Sequence, residues 1–421
     1  MKLLGTGFKV GANYIKHYSK KVVNPGRDRT DLDEANASDI YDTLSHLKGS
    51  ALKVAQMLSM DKGILPGAYS EKFSLALNSA PPLSGPLIIK TFQRHFGKSP
   101  FDIYDTFEMQ ASHAASIGQV HKATKDGVHL AVKIQYPGVA DSISSDLKMV
   151  KPFAFRLLGM SESELAVYLK EVEDKLIEET DYVNELSKGT FIGNACKEIE
   201  SLRFPKYFPE YSNDRILTME WLEGQPLRDF IASNPGQEKR NQIGQALWDF
   251  YSFQQHELKL IHADPHPGNF LVDNEGNLAI VDFGCVKEIP QDFYEAFFGL
   301  VYPPAGTGLD KMQEWMFQLE MLSRKDDPEK IKFFTSMYLE MIGLFGKPYL
   351  NDTFDFGDPE FINALYSFGE KATKIPELRE ARGSRHFIYV NRTNFGLYNI
   401  LHELKAEVNT GKFSFQTGEV V

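Results

Sequence analysis

A chain of 421 residues, 42% of them hydrophobic, is long enough to bury a sizeable core and to fold as two or three packed units. Its formal net charge of -11 argues against nucleic acid as the main partner. Only two cysteines, Cys196 and Cys285, stand far apart, which argues against a disulfide framework and predicts a reducing, cytoplasmic setting.

Residues 1–27 hold six basic side chains, Lys2, Lys9, Lys16, Lys20, Lys21 and Arg27, and no acidic one. Leu4, Phe8, Ile15, Tyr18 and Val22 fall near one line at helical spacing, with lysines on its flank. That pattern suits a helix lying on an anionic membrane surface, peripheral on its inner face. A helix docked on the protein's own acidic body suits it equally, because Gly5, Gly7 and Gly11 weaken the helix. The same glycines, with Lys9, interrupt any apolar stretch that could act as a secretory signal.

A long helix is predicted over 32–60, with Ile40, Leu44, Leu47, Ala51, Ala55 and Leu58 as its apolar stripe. Lys53 and Gln56 share the opposite face, which by periodicity alone is a solvated one. Residues 116–135 read as a hairpin turning at Asp126-Gly127. In its second strand Val128, Leu130, Val132 and Ile134 share one face, so Lys133 points to the other with Ala131. A single helix is predicted over 164–190, a strand over 215–220, and a helix around 239–258. A loop and hairpin cover 261–284, turning at Asn274-Glu275-Gly276-Asn277. From 291 onward the pattern is almost wholly helical, broken at Pro303-Pro304, Gly357 and Pro376. Phe333–Phe345 is the nearest approach to a membrane span. It is too short and carries Glu340, so it reads as a core helix.

The chemistry concentrates in Ile261-His262-Ala263-Asp264-Pro265-His266-Pro267-Gly268-Asn269-Phe270, followed by Asp282-Phe283-Gly284. Phosphoryl transfer from a nucleotide needs a carboxylate to orient or deprotonate the acceptor. It also needs an amide and a second carboxylate to hold Mg²⁺ against the phosphates. Asp264, Asn269 and Asp282 supply these in the order and spacing of protein kinases. The competing reading is a metal site made by His262, Asp264 and His266. Upstream, Lys133 fits the strand lysine that pairs the α- and β-phosphates, and Glu185 fits its helix partner. Taken alone, Lys133 would read as an exposed strand lysine. The loop Ala111-Ser112-His113-Ala114-Ala115-Ser116-Ile117-Gly118 carries alanines where a kinase has glycines. Each alanine restricts φ and adds a Cβ, so the backbone meets phosphates differently.

These motifs together resemble the UbiB/AarF family of atypical kinase-like proteins, over about residues 40–290. The marks are Ala-Ala-Ser-Ile-Gly-Gln-Val-His, Ala-Val-Lys-Ile-Gln-Tyr-Pro-Gly-Val, Glu179-Thr180-Asp181-Tyr182 with Glu185, and His-x-Asp-Pro-His-Pro-Gly-Asn. Lys53-Val54-Ala55-Gln56 is similar to the family's Lys-x-Gly-Gln except at Ala55, and Ser112 and His113 depart from its alanine run. The resemblance implies an α+β, bilobal protein-kinase-like fold with an N-terminal helical extension and a helical C-terminal region. The chain then divides into a basic segment (1–30), the extension (31–100), an N-lobe (101–223) and a C-lobe (224–421). It implies ATP or ADP with Mg²⁺ as cofactors. The nucleotide would be contacted by Ala114, Ala115, Ser116, Lys133, Glu220 and Leu222. Lys53 and Gln56 would become active-site residues, with Glu179 and Asp181 as partners. Protein-kinase activity would be suppressed in favour of ATPase or small-molecule kinase chemistry. Isoprenoid lipid and quinone-biosynthesis proteins are the implied partners. A small-molecule kinase of the aminoglycoside or choline type, and a catalytically inactive nucleotide-binding scaffold, remain the alternatives.

Overall fold

The computed structural model describes residues 83–115, 117–158, 162–375, 377 and 382–411. The basic N-terminal segment, the helix predicted over 32–60 with Lys53 and Gln56, and Ser116 lie outside the described residues. The chain divides into two compact units. The first runs to Leu186 and adds Tyr207–Trp221; the second comprises Ser187–Lys206 and the chain from Leu222.

Among the described residues the first unit begins with α1 (Gly85–Phe96) and a one-turn helix α2 (Pro100–Ile103), N-capped by the Ser99 side chain. Strands β1 (Thr106–Phe107), β2 (His113–Ala114), β3 (Gly118–Lys125) and β4 (Val128–Gln135) follow. The β3–β4 hairpin turns where expected. Asp126 and Gly127 both have positive φ (49° and 78°), as a two-residue turn between right-twisted strands requires. Helices α3 (Val139–Leu158), α4 (Glu162–Glu179) and α5 (Tyr182–Ala195) come next. The single helix predicted over 164–190 is therefore two. Thr180 and Asp181 interrupt it, and the Asp181 carboxylate accepts the Asn184 N–H at 2.9 Å as the cap of α5. Periodicity hid this break because the apolar stripe continues across it. After β5 (Leu202–Arg203) in the second unit, β6 (Ile216–Glu220) joins β4 to complete the sheet order β1-β3-β4-β6, with β2 on β3.

The two faces of this sheet differ. Ala123, Leu130, Val132 and Ile134 pack against Ile88, Phe92, Tyr104 and Phe107 in one core. Gln119 and His121 lie on that face by pleat parity and are fully buried. They are tolerated because they are paired. Gln119 accepts the Leu83 N–H (2.8 Å), its amide meets His121 Nε2 (2.7 Å), and His121 Nδ1 meets the Glu108 carbonyl (2.8 Å). A Cβ at Gly118 would overlap the Ile134 carbonyl, so glycine is required there.

The second unit contains β5, β7 (Gln225–Pro226), α6 (Leu227–Ala232), α7 (Gln237–Phe253), β8 (Leu260–His262), β9 (Phe270–Val272), β10 (Leu278–Ile280) and β11 (Val286–Glu288). The helix predicted around 239–258 ends earlier as α-helix, at Phe253, and a wide turn over Gln254–Leu258 follows. The β9–β10 hairpin turns at the predicted residues. The Asp273 carboxylate accepts the Glu275 and Asn277 N–H groups, and Gly276 has φ 85°. Helices α8 (Gln291–Val301), α9 (Leu309–Gln318), α10 (Pro328–Gly346), α11 (Pro359–Lys374) and α12 (Arg385–Leu404) form the C-terminal region. Phe334, Met337, Tyr338 and Ile342 of α10 are buried, so Phe333–Phe345 is core, and no helix among the described residues is long and apolar enough to cross a membrane. Two three-residue strands, β12 (Thr353–Asp355) and β13 (Glu407–Asn409), interrupt the predicted helical run. They are too short to leave a period in the sequence. Gln245 of α7 holds β13 by exchanging two hydrogen bonds with the Asn409 backbone.

Candidate functional site

In the first unit, Lys133 is buried rather than exposed. Its ammonium lies 3.0 and 3.1 Å from the two carboxylate oxygens of Glu185, with the side chains 8% and 1% exposed. It also sits 5.3 Å from the centre of the Tyr182 ring. Local chemistry delivers Glu185 to this place. Gln135, at the end of β4, donates to the Thr180 carbonyl at 3.0 Å. That contact holds the α4–α5 junction, Asp181 caps α5, and Glu185 falls in the first turn of the new helix. Asp181 is thus a cap, and Glu179 is the last residue of α4.

Cross-strand pairing extends the Lys133 face. Val120 pairs with Lys133, Lys122 with Ala131, and His113 with Val120. Paired residues share a face, so Val120, Ala131 and Lys133 line one surface. Val120 and Ala131 were not singled out as site residues by sequence reasoning. The signal was available in the strand parity that placed Lys133. Ala114 pairs with Gln119, the Ala115 N–H bonds the Gly118 carbonyl at 2.9 Å, and the Tyr136 N–H bonds the Ile117 carbonyl at 2.9 Å. The alanine-rich loop is therefore tied down where it enters β3. Glu220 ends β6 opposite Leu130. The Trp221 N–H is taken by the His129 carbonyl, so the Glu220 backbone groups face the edge away from β4. Leu222 follows, where the chain returns to the second unit.

In the second unit, β8 and β11 pair in antiparallel register with Val286 opposite His262, which frames the segment from Asp264 to Asp282. The Asn269 side-chain N–H₂ donates to the Asp264 carbonyl (3.0 Å) and to its carboxylate (3.1 Å). Both partners are acceptors, so the amide's orientation is settled and its oxygen points elsewhere. One Asp282 oxygen accepts the Gly284 N–H at 2.9 Å. Asn269 and Asp282 thus offer an amide oxygen and a carboxylate, the hard oxygen donors that Mg²⁺ takes.

His262 has a different task from the metal ligand considered above. It is fully buried, its Nε2 meets the Asp282 carbonyl at 2.9 Å, and its Nδ1 meets the Tyr251 hydroxyl at 2.9 Å. The carbonyl only accepts, so Nε2 carries the proton and Nδ1 accepts from Tyr251. Burial pushes the Tyr251 phenol well up, which keeps it a donor. The His262 N–H is in turn taken by Gln254 at 2.8 Å, from the wide turn after α7. His266 accepts the Gly268 N–H. With both ring nitrogens of His262 engaged, the three-ligand site of His262, Asp264 and His266 is not formed. Tyr251 and Gln254 were missed by sequence reasoning, since nothing in a helix stripe announces a bond to a loop histidine. Cys285 is buried and, like Cys196, a free thiol.

An antiparallel sheet bearing a buried lysine–glutamate pair, and a loop with Asp264 and Asn269 ahead of Asp282-Phe283-Gly284, define a protein-kinase-like α+β fold. The chain belongs to the ABC1 atypical kinase-like family, the UbiB/AarF proteins: the ABC1 atypical kinase-like domain matches residues 76–315. It is 25% identical to a probable serine/threonine-protein kinase abkA of Dictyostelium discoideum, over 95% of this chain and 75% of that one. It is 30% identical to the rat mitochondrial atypical kinase COQ8B, over 78% of this chain and 62% of that one. It is 28% identical to the Arabidopsis chloroplastic protein Activity of bc1 complex kinase 8, over 72% of this chain and 41% of that one. The chain thus spans less than two thirds of the last two. A solved structure described as the complex of Rv3197 with erythromycin from Mycobacterium tuberculosis is 25% identical, with a TM-score of 0.60 over 91% of this chain and 96% of that one.

Proposed function

We propose that the chain binds a magnesium–adenine nucleotide and works as an atypical kinase or ATPase that supports isoprenoid quinone biosynthesis at a membrane surface. The observation that carries this reading is the buried, two-pronged pair of Lys133 and Glu185. Burying two charges is costly even when they pair, so a packed core gains nothing from them. A lysine held at a fixed place against phosphates explains their presence. Names among the relatives, COQ8B above all, support the quinone part.

In this reading Lys133 binds the α- and β-phosphates and Glu185 orients it. Val120 and Ala131 cover the adenine, whose edge meets the Glu220 carbonyl and the Leu222 N–H. Ala114, Ala115 and Ser116 are the nucleotide's phosphate contacts. Asn269 and Asp282 hold Mg²⁺, which when bound neutralises the charge that develops on the transferred phosphoryl group. Asp264 orients the acceptor, and the Asn269 amide holds the Asp264 carboxylate in place. His262 fixes the Asp282 peptide. Lys53 and Gln56 act at the active site, with Glu179 and Asp181 as their partners. The basic residues of 1–27 supply the membrane contact.

ATP turnover by the full chain tests this, measured with and without anionic liposomes containing quinone precursors. Turnover that rises with the liposomes and is lost in Asp264→Asn is expected. Turnover equal in wild type and Asp264→Asn would overturn the reading.

A further inference from the structure

His113, where the family's alanine run is broken, does something specific in this structure. Its ring lies flat on Trp221, with centroids 5.7 Å apart and planes 14° apart. The Lys122 ammonium sits 4.3 Å from the centre of the same indole. Strand register explains the meeting. His113 pairs with Val120, and Val120 and Lys122 are two apart on β3, so all three project from the sheet face that carries Lys133. Trp221 follows Glu220, and its N–H bonds His129, the continuation of the β4–β6 register. The indole therefore ties the start of β2 to the residue that follows β6. Desolvation by the ring contact, with the Lys122 charge next to it, pushes the His113 imidazole below its ordinary 6.5, so the neutral ring stacks at pH 7.

We propose that His113 is a positioning residue of the nucleotide site, a latch that holds the alanine-rich loop against Trp221 and so slows nucleotide release. The inference rests on the nucleotide reading above. A glycine-rich loop closes on phosphates through backbone freedom. Ala114 and Ala115 have less of it. In its place this loop has the Ala115–Gly118 and Ile117–Tyr136 hydrogen bonds at one end and the stacked pair at the other. Nucleotide leaving past the loop has to part the rings. His113 is itself exposed, so its removal leaves the core untouched.

The test uses the full chain with Mg²⁺ and a fluorescent N-methylanthraniloyl-ADP, read by stopped flow. His113→Ala is expected to speed dissociation by roughly three- to ten-fold, the range of one aromatic stacking contact. His113→Phe, which keeps a flat ring, is expected to restore the wild-type rate, and both variants to melt at the wild-type temperature. A dissociation rate unmoved in His113→Ala, or slowed no better by Phe than by Ala, would overturn the latch alone. No nucleotide binding by the wild type would overturn the nucleotide reading and the latch with it.

Discussion

Lys133 and Glu185 meet through both carboxylate oxygens, at 3.0 and 3.1 Å, although 52 residues separate them in the chain. Removing one partner takes from the other the charge against which it is buried. Lys133→Met is therefore expected to destabilise the fold by about 3–5 kcal/mol. The double variant Lys133→Met/Glu185→Leu is expected to recover much of that loss, because a buried pair contributes little net stability against apolar packing. Urea unfolding of the three proteins measures both numbers. A Lys133→Met protein as stable as wild type would mean that the pair is solvated.

Asp282 has a structural bond to the Gly284 N–H and a proposed metal bond. Asp282→Asn keeps a carbonyl oxygen for the first and loses the charge for the second. Its melting temperature without ligand is expected to match wild type, and the added thermal shift on Mg-ATP to vanish. A shift of wild-type size in the variant refutes the metal role.

Tyr251→Phe removes the hydroxyl that meets the buried His262 Nδ1. The expected loss is about 1–3 kcal/mol. Because His262 also holds the Asp282 carbonyl, hydrogen exchange over 281–285 is expected to quicken in the same variant. Exchange unchanged there, with stability lowered, would confine Tyr251 to packing.

Asp326 and Arg382 form a two-pronged pair in the second unit, at 2.6 and 2.8 Å, with the guanidinium 3.9 Å from the Phe334 ring centre. The Arg382 hydrogen bond holds the Asp326 carboxyl down, from the ordinary 3.8 to about 2. A depressed folded pKa means that its stabilising effect is complete above the unfolded value and is lost as pH falls through the folded one. The wild type is thus expected to lose stability between pH 3.8 and about 2, and Asp326→Asn to lack that portion of the acid dependence. Superimposable melting curves against pH would sink this assignment.

Lys53 lies outside the described residues, and two expectations for it differ. A solvated helix lysine changed to alanine costs within about 0.5 kcal/mol and leaves activity alone. A lysine that serves phosphate chemistry alters ATP turnover in Lys53→Ala without a change in circular dichroism. Altered turnover is the expected outcome; matching rates would mean that the Ala55 departure marks a lost family function.

The chain by itself determined the hairpin at Asp126-Gly127, the order of Lys133, Asp264, Asn269 and Asp282, and the family, because turn chemistry, strand alternation and motif spacing are local. Local signals also misled. The apolar stripe ran through Thr180 and Asp181, so two helices read as one, and only the capping bond of Asp181 and the Gln135 contact to Thr180 decided where Glu185 would stand. Strands of three residues such as β12 and β13 hold too few positions to show a period. The burial of Lys133, the engagement of both His262 nitrogens and the stacking of His113 on Trp221 join residues 52, 11, 20 and 108 positions apart. No periodicity reaches that far. Those pairings exist because folding brings their elements together, and a polar group that is buried in the process must find its partner there.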